Sequence, residues 1–163
     1  SAASEEQRGN SLQSIVFLYT QCVSCLPSVA PAILLGQSAL EELARWTLLD
    51  EEHLQRRFVR DLKAYDLFDL LFSILNSSKD EVAKACWRDG NEPSFSDTIQ
   101  NLVEVRNSVA HRGAEKDRDQ RMTAWEAACR LLEIAVLASL GYRGTFGSPS
   151  SSTPVDSGGF YRS

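Results

Sequence analysis

Apolar side chains recur every three or four residues through almost the whole chain up to Leu140, and this spacing most constrains the fold. It is the period of one face of an α-helix, and no pair of stretches alternates by two as strands do. Residues that end helices, such as Pro27, separate the stretches that share this period. The pattern therefore predicts an all-α, antiparallel bundle of five to six helices.

Polar residues mark several of the expected helix ends. Asp50 is suited to an N-cap, Ser94 with Asp97 resembles a capping box, and Gly113 and Gly141 are suited to ending helices. With the apolar period, these signals predict helices at about 11–25, 31–48, 50–75, 80–87, 94–111 and 117–140.

A length of 163 residues suits one domain. We expect it to span residues 11–141. Residues 1–10 are polar and carry Glu5 and Glu6; we expect them to be a disordered end without a signal peptide. Residues 142–163 form a tail rich in Gly, Ser and Pro without apolar periodicity, which predicts a disordered tail or linker.

The cysteines bear on metal binding and on compartment. Cys22 and Cys25 form a CxxC, but no second CxxC and no nearby histidine completes a zinc site. We therefore expect no metal and no cofactor, and mostly buried helix cysteines. With Cys86 and Cys129 they suggest free thiols in a reducing, intracellular compartment, cytoplasmic or nuclear. No apolar run reaches the roughly 20 residues that a membrane span needs.

The net charge of −5 counts against general binding of nucleic acids. Two stretches are locally basic. Residues 106–121 carry five Lys or Arg against three acids, and a second basic group consists of Arg56, Arg57, Arg60 and Lys63. Each is most simply a solvated helix face.

One arginine stands in a row of apolar residues. Between Ser94 and His111 the apolar positions are Phe95, Ile99, Leu102, Val103, Val109 and Ala110. Arg106 falls in that row, where a cation is costly unless it is paired, lines a site or meets another chain. Asn107 and His111 lie within about 140° of it around the helix. The end of this helix is thus a candidate active-site edge.

An arginine with a histidine suits phosphoryl chemistry. Arginine can hold a phosphate through two parallel hydrogen bonds, and histidine can move a proton near pH 7. RNA cleavage through the 2′-hydroxyl needs both a base and an acid, whereas one chain offers one histidine here. A two-fold dimer with this helix end at its interface would supply two histidines. We expect the last two helices to form that interface.

The stretch Arg106-Asn107-Ser108-Val109-Ala110-His111 resembles the Rx4-6H motif of HEPN domains, the "higher eukaryotes and prokaryotes nucleotide-binding" superfamily. It looks most like the HEPN module of nuclear transcript-quality-control endoribonucleases and their prokaryotic relatives. The resemblance implies a metal-independent endoribonuclease that acts on RNA as a homodimer. Arg106 would hold the scissile phosphate, His111 would be acid or base, and Asn107 would orient the phosphate or the imidazole. Arg112, outside the motif, is a candidate RNA contact.

Two other functions stay open. Other HEPN domains only dimerise or bind RNA, protein or nucleotides, so the chain could be such a non-catalytic module. It could also be an adaptor whose acidic surface binds a protein, and a protein partner could deliver the RNA.

Overall fold

The computed structural model describes residues 2–24, 29–75, 77–87, 93–112, 117–142 and 144, and their side chains except at positions 2–10, 51 and 112. Seven α-helices and no strand occur in this part of the chain, which confirms the predicted all-α class. No helix within it is both long and apolar enough to cross a membrane. The helices are α1 (Ala2–Ser24), α2 (Val29–Trp46), α3 (Arg56–Asp61), α4 (Ala64–Ile74), α5 (Lys79–Cys86), α6 (Phe95–Arg112) and α7 (Arg118–Ser139).

Two predicted helix ends are confirmed in atomic detail. Ser94 Oγ accepts a hydrogen bond from the Asp97 N–H at 3.1 Å, and Asp97 Oδ2 accepts one from the Ser94 N–H at 3.2 Å. This reciprocal pair is a capping box at the start of α6. Gly141, just after α7, has a left-handed φ of 87° and donates its N–H to Ala138 O at 3.0 Å. Gly113, like almost all of the tail at 142–163, lies outside the described residues.

The first helix starts earlier than predicted. α1 begins at Ala2, whereas disorder was expected up to residue 10. Residues 2–8 consist mostly of Ala, Glu, Gln and Arg, which favour helix, and Glu5 and Glu6 carry negative charge near the positive end of the helix dipole. Apolar periodicity does not detect a helical extension of this composition.

The prediction that Asp50 caps a new helix was wrong. Asp50 lies inside a π-helical turn, Thr47–Glu51, that directly continues α2. The chain reverses only afterwards, at His53, whose φ of 53° is left-handed. The local sequence, Asp50 followed by two acids, is the same whether Asp50 caps a helix or lies inside a turn. It could therefore not distinguish between these two positions.

The expected helix 50–75 is divided into α3 and α4. Leu62 and Lys63 between them have extended backbones. The apolar pattern runs across the break because Leu62 in the linker packs against the core just as helical residues do. This break turns a predicted count of five to six helices into seven within the described chain.

α2 lies at the centre of the bundle and packs against α1, α4, α6 and α7. Gly36 allows the closest of these approaches. A Cβ atom at this position would lie 3.0 Å from Cys22 Sγ and 3.1 Å from Ala128 Cβ, which is closer than side chains normally pack. The absence of a side chain at Gly36 thus lets α1 and α7 meet over the backbone of α2.

Tyr19 on α1 is tied to α7, since its hydroxyl donates a hydrogen bond to Glu133 Oε1 at 2.5 Å. Burial and this hydrogen bond raise the pKa of Tyr19 above its ordinary value of 10.0. Tyr19 then loses its proton at lower pH in the unfolded chain than in the native one. The stabilisation from this group should be complete below pH 10 and should decrease as the pH rises above 10.

Tyr19→Phe should remove this alkaline part of the pH dependence in urea unfolding between about pH 9 and about pH 11. Identical pH dependence in the wild type and the variant would contradict the assignment.

Candidate active site

The three predicted site residues, Arg106, Asn107 and His111, lie in the last two turns of α6. Residues 113–117 connect α6 to α7, and the two helices pack against each other. A connection this short makes an antiparallel helical hairpin. The first turns of α7 therefore lie at the same end of the bundle as the site residues.

Arg106 is held by an uncharged neighbour. It is half-buried, and its Nη1 donates a hydrogen bond to Asn107 Oδ1 at 3.2 Å. No carboxylate in the described part of the chain forms an ion pair with it. Since the amide occupies one of the five N–H donors of the guanidinium, the rest remain for a ligand. A cation held in this way is suited to binding an anion.

The buried row of α6 does not pass through Arg106, which corrects the prediction that it occupies a core position. The buried residues of this helix are Phe95, Thr98, Ile99, Leu102 and Val105. Arg106 lies beside Val105 at the border of the core, and Ala110, expected in the apolar row, is exposed. The guanidinium reaches solvent, so it needs no buried counter-charge.

His111 is exposed and lies one helical turn after Asn107, which is also exposed. Side chains four residues apart are neighbours on a helix face. The imidazole takes part in no hydrogen bond or ion pair within the described residues, so it can accept or donate a proton. Arg112 follows directly in α6, but its side chain lies outside the description.

Arg121 is a candidate site residue that the sequence analysis counted only as part of the basic stretch 106–121. It lies in the first turns of α7, and its Nε is shielded from solvent without a hydrogen-bond acceptor among the described residues. An unpartnered buried donor is costly, and a phosphate oxygen would satisfy it. The return of α7 along α6 keeps Arg121 at the same end as Arg106 and His111, and the sequence could not reveal that its Nε is buried without an acceptor.

Cys22 contacts a cysteine outside the CxxC motif. Cys25 lies outside the described residues, whereas Cys22 is fully buried, with its Sγ 3.4 Å from Cys129 Sγ on α7. Within the described part of the chain, no group of three or more His, Cys, Asp or Glu is arranged to hold a metal ion. The neighbour of Cys22 in the fold is thus a cysteine far away in the sequence.

Mild oxidation should link Cys22 to Cys129. The hydrogen bond between the two thiols, in which either sulfur can donate, lowers the pKa of Cys22 and raises that of Cys129. Burial raises the pKa of Cys86 to about 12. Diamide oxidises two thiols to a disulfide and takes up both of their hydrogens. After trypsin digestion, mass spectrometry should show a disulfide between peptides 9–45 and 122–130, with Cys86 still reduced. Cys25→Ser should not lower the yield. A disulfide closed within peptide 9–45 would contradict the expected pairing.

The sequence of the chain matches one family model. The family model described as the YopA C-terminal domain matches residues 5–155, nearly the whole chain and all of the candidate site. No curated protein and no solved structure matches the chain significantly.

Proposed function

The chain belongs to the YopA C-terminal domain family, and we propose that it is a metal-independent endoribonuclease. Its active site combines Arg106, Asn107 and His111 from the two protomers of a homodimer. The observation that carries this proposal is the arginine, which is held by Asn107, lacks a carboxylate partner in the described chain, and lies at the same helix end as an exposed histidine.

The reaction needs one base and one acid. The base removes the proton of the ribose 2′-hydroxyl, the 2′-oxygen attacks phosphorus, and the acid protonates the departing 5′-oxygen. The products are a 2′,3′-cyclic phosphate and a 5′-hydroxyl. Arg106 would neutralise the charge that builds on the phosphate oxygens, and Asn107 would hold the guanidinium in place. No step requires a metal ion.

Two copies would complete the site. One chain brings one histidine to this end of α6, since His53 lies between the π-helical turn and α3. A two-fold axis beside α6 and α7 would place a second His111 across the scissile bond, one imidazole as base and the other as acid. The resemblance of residues 106–111 to the HEPN motif supports this arrangement, and the all-helical fold is compatible with it.

The acidic protein must still attract an RNA. Arg121 and the exposed Arg118 add positive charge at the hairpin end, and Arg112 follows His111 directly. These cations offset a net charge of −5 only locally. We therefore propose that a protein partner helps to deliver the substrate. Reduced thiols and an RNA substrate suit an intracellular site of action.

The test is cleavage of labelled single-stranded RNA by the protein in EDTA. Arg106→Ala should slow cleavage by about a hundred- to a thousandfold, because it removes the group that stabilises the developing charge. Arg118→Ala, which removes an exposed cation from the same end, should cost no more than a few-fold. Circular dichroism and light scattering must show an intact fold and dimer. Equal losses of cleavage rate in both variants would show that Arg106 only attracts RNA through its charge. An inactive wild type would refute the proposal.

A non-catalytic dimerisation module is the second candidate, because an apolar surface is exposed elsewhere. On α1, Val16 and Phe17 are 55% and 62% exposed. Leu137 in the last turn of α7 and Leu140 directly after this helix are 42% and 64% exposed. The pairs Tyr19–Glu133 and Cys22–Cys129 fix the antiparallel register of α1 and α7, which brings these four residues to one end of the pair.

This surface lies far from the candidate active site. Sixteen residues of α7 separate Arg121 from Leu137, about 24 Å along a helix. We therefore expect Phe17→Asp with Leu140→Asp to leave both RNA cleavage and the dimer intact, as measured by light scattering. Dissociation into folded monomers would favour the non-catalytic module. Leu132→Asp cannot make this distinction, because Leu132 is 1% exposed and the variant would disrupt the core.

A further inference from the structure

A second cluster of cations lies between the end of α2 and α3. There a basic groove of about 480 Å³ is lined by four arginines and two apolar residues: Arg45, Leu49, Arg56, Arg57, Val59 and Arg60. α3 packs against the π-helical turn, and the Leu54 N–H donates to Leu48 O at 2.9 Å across the left-handed His53. The reversal of the chain at His53 thus creates the groove.

The groove carries positive charge without acids among its lining residues. Arg56 and Arg57 are exposed and form no hydrogen bond or ion pair with any described residue. Arg60 pairs with Asp61 at 3.1 Å and Arg45 with Glu41 at 3.5 Å, but these side chains are 26–75% exposed. Exposed pairs of this kind contribute little and can exchange for another anion.

Arg45 also has an unsatisfied donor. Its Nη1 is shielded from solvent and has no hydrogen-bond acceptor in the described part of the chain. Buried N–H groups in folded proteins nearly always have a partner, so this donor indicates a missing acceptor. Four guanidinium groups around one groove also repel one another, and a bound anion would relieve that repulsion.

We propose that the basic groove binds a small polyphosphate, an anion with at least two linked phosphate groups. The planar fork of arginine matches phosphate oxygens through paired hydrogen bonds. One phosphate would leave much of the charge of four arginines unmatched, whereas two or three linked phosphates offer each arginine an acceptor. Leu49 and Val59 line the groove, and apolar walls strengthen such contacts by excluding water.

Size and overall charge favour a small ligand over a nucleic-acid strand. The groove volume lies in the range of about 300–1,000 Å³ that is typical of small-molecule sites. A protein of net charge −5 repels a long polyanion outside the groove, whereas a small ligand feels mainly the four arginines. The groove is formed by α2, α3 and the turn between them, not by α6, so this inference does not depend on the ribonuclease proposal.

The test is calorimetric titration of the full chain with inorganic tripolyphosphate, orthophosphate and sulfate at constant ionic strength. Tripolyphosphate should bind at least about tenfold more tightly than either smaller ion. Arg57→Gln should weaken its binding by about tenfold or more, and Arg57→Lys should restore only part of it, because lysine keeps the charge but lacks the fork. Lys84→Gln, which removes an exposed cation on α5, a helix that contributes to neither the groove nor the candidate active site, should leave binding unchanged.

Equal weak binding of all three ions, or equal losses in Arg57→Gln and Lys84→Gln, would overturn the proposal. Binding of a short single-stranded RNA through Arg57 without binding of tripolyphosphate would also overturn it, and would make the groove an RNA contact. Since Arg57 is exposed, the substitution should leave the fold intact, which the unfolding temperature checks.

Discussion

His111→Asn is expected to slow RNA cleavage by about 10²- to 10⁴-fold, because asparagine cannot transfer a proton near pH 7. The side chain is exposed and makes no hydrogen bond with another described residue, so its replacement should leave the unfolding temperature and the dimer unchanged. Asparagine also preserves polarity and much of the side-chain volume. A fall in rate would then report lost proton transfer instead of lost structure.

His53→Asn is the matched control, since His53 is the other histidine of the chain and is also exposed. Its backbone is left-handed, with φ of 53°, and asparagine tolerates that conformation better than most residues. We expect the control to cleave RNA at the wild-type rate. If both variants kept full activity, His111 would not be the acid or the base, and the proposed mechanism would be wrong.

Phe68→Ala should lower the free energy of unfolding by about 3–5 kcal/mol, enough to unfold a marginally stable domain. Phe68 is fully shielded from solvent in the core. Its neighbour one turn on, Phe72, packs edge-on against Phe95 of α6 with 5.2 Å between ring centroids. Removing the Phe68 ring leaves a cavity where α4 joins the bundle, and urea unfolding measures the cost.

Phe58→Ala makes the same chemical change on α3, where the ring is 52% exposed. It should cost less than about 1 kcal/mol, since surface substitutions rarely cost more. Similar losses in the two variants would show that α4 does not pack into the core as described.

Much of the helical fold could be predicted from the sequence. The period of three to four residues located the helices, and Ser94, Asp97 and Gly141 marked two boundaries by local chemistry that the structure confirms. The position of the break after α2 and the division into α3 and α4 could not be predicted, because neither proline nor glycine occurs between Thr47 and Leu62. Tertiary packing produces these breaks, through a left-handed histidine and apolar residues that contact the core outside helices.

The candidate site was predictable where it is local. Arg106, Asn107 and His111 share one helix end, so their proximity follows from the helical repeat. The predicted core position of Arg106 was wrong, because the buried row of α6 passes through Val105, one residue earlier in the chain. Arg121 and the basic groove depend on contacts between helices: α7 returns along α6, and α3 brings three arginines towards Arg45.

The most direct test of the ribonuclease proposal is the chemistry of the RNA ends made in EDTA. Mass spectrometry of the fragments should show 2′,3′-cyclic phosphate on one side of each cut and a 5′-hydroxyl on the other. These ends should form at least about a hundredfold more slowly with His111→Asn and Arg106→Ala. Fragments with 3′-hydroxyl and 5′-phosphate ends, or cleavage that stops when EDTA is added, would contradict a metal-independent site built from Arg106 and His111.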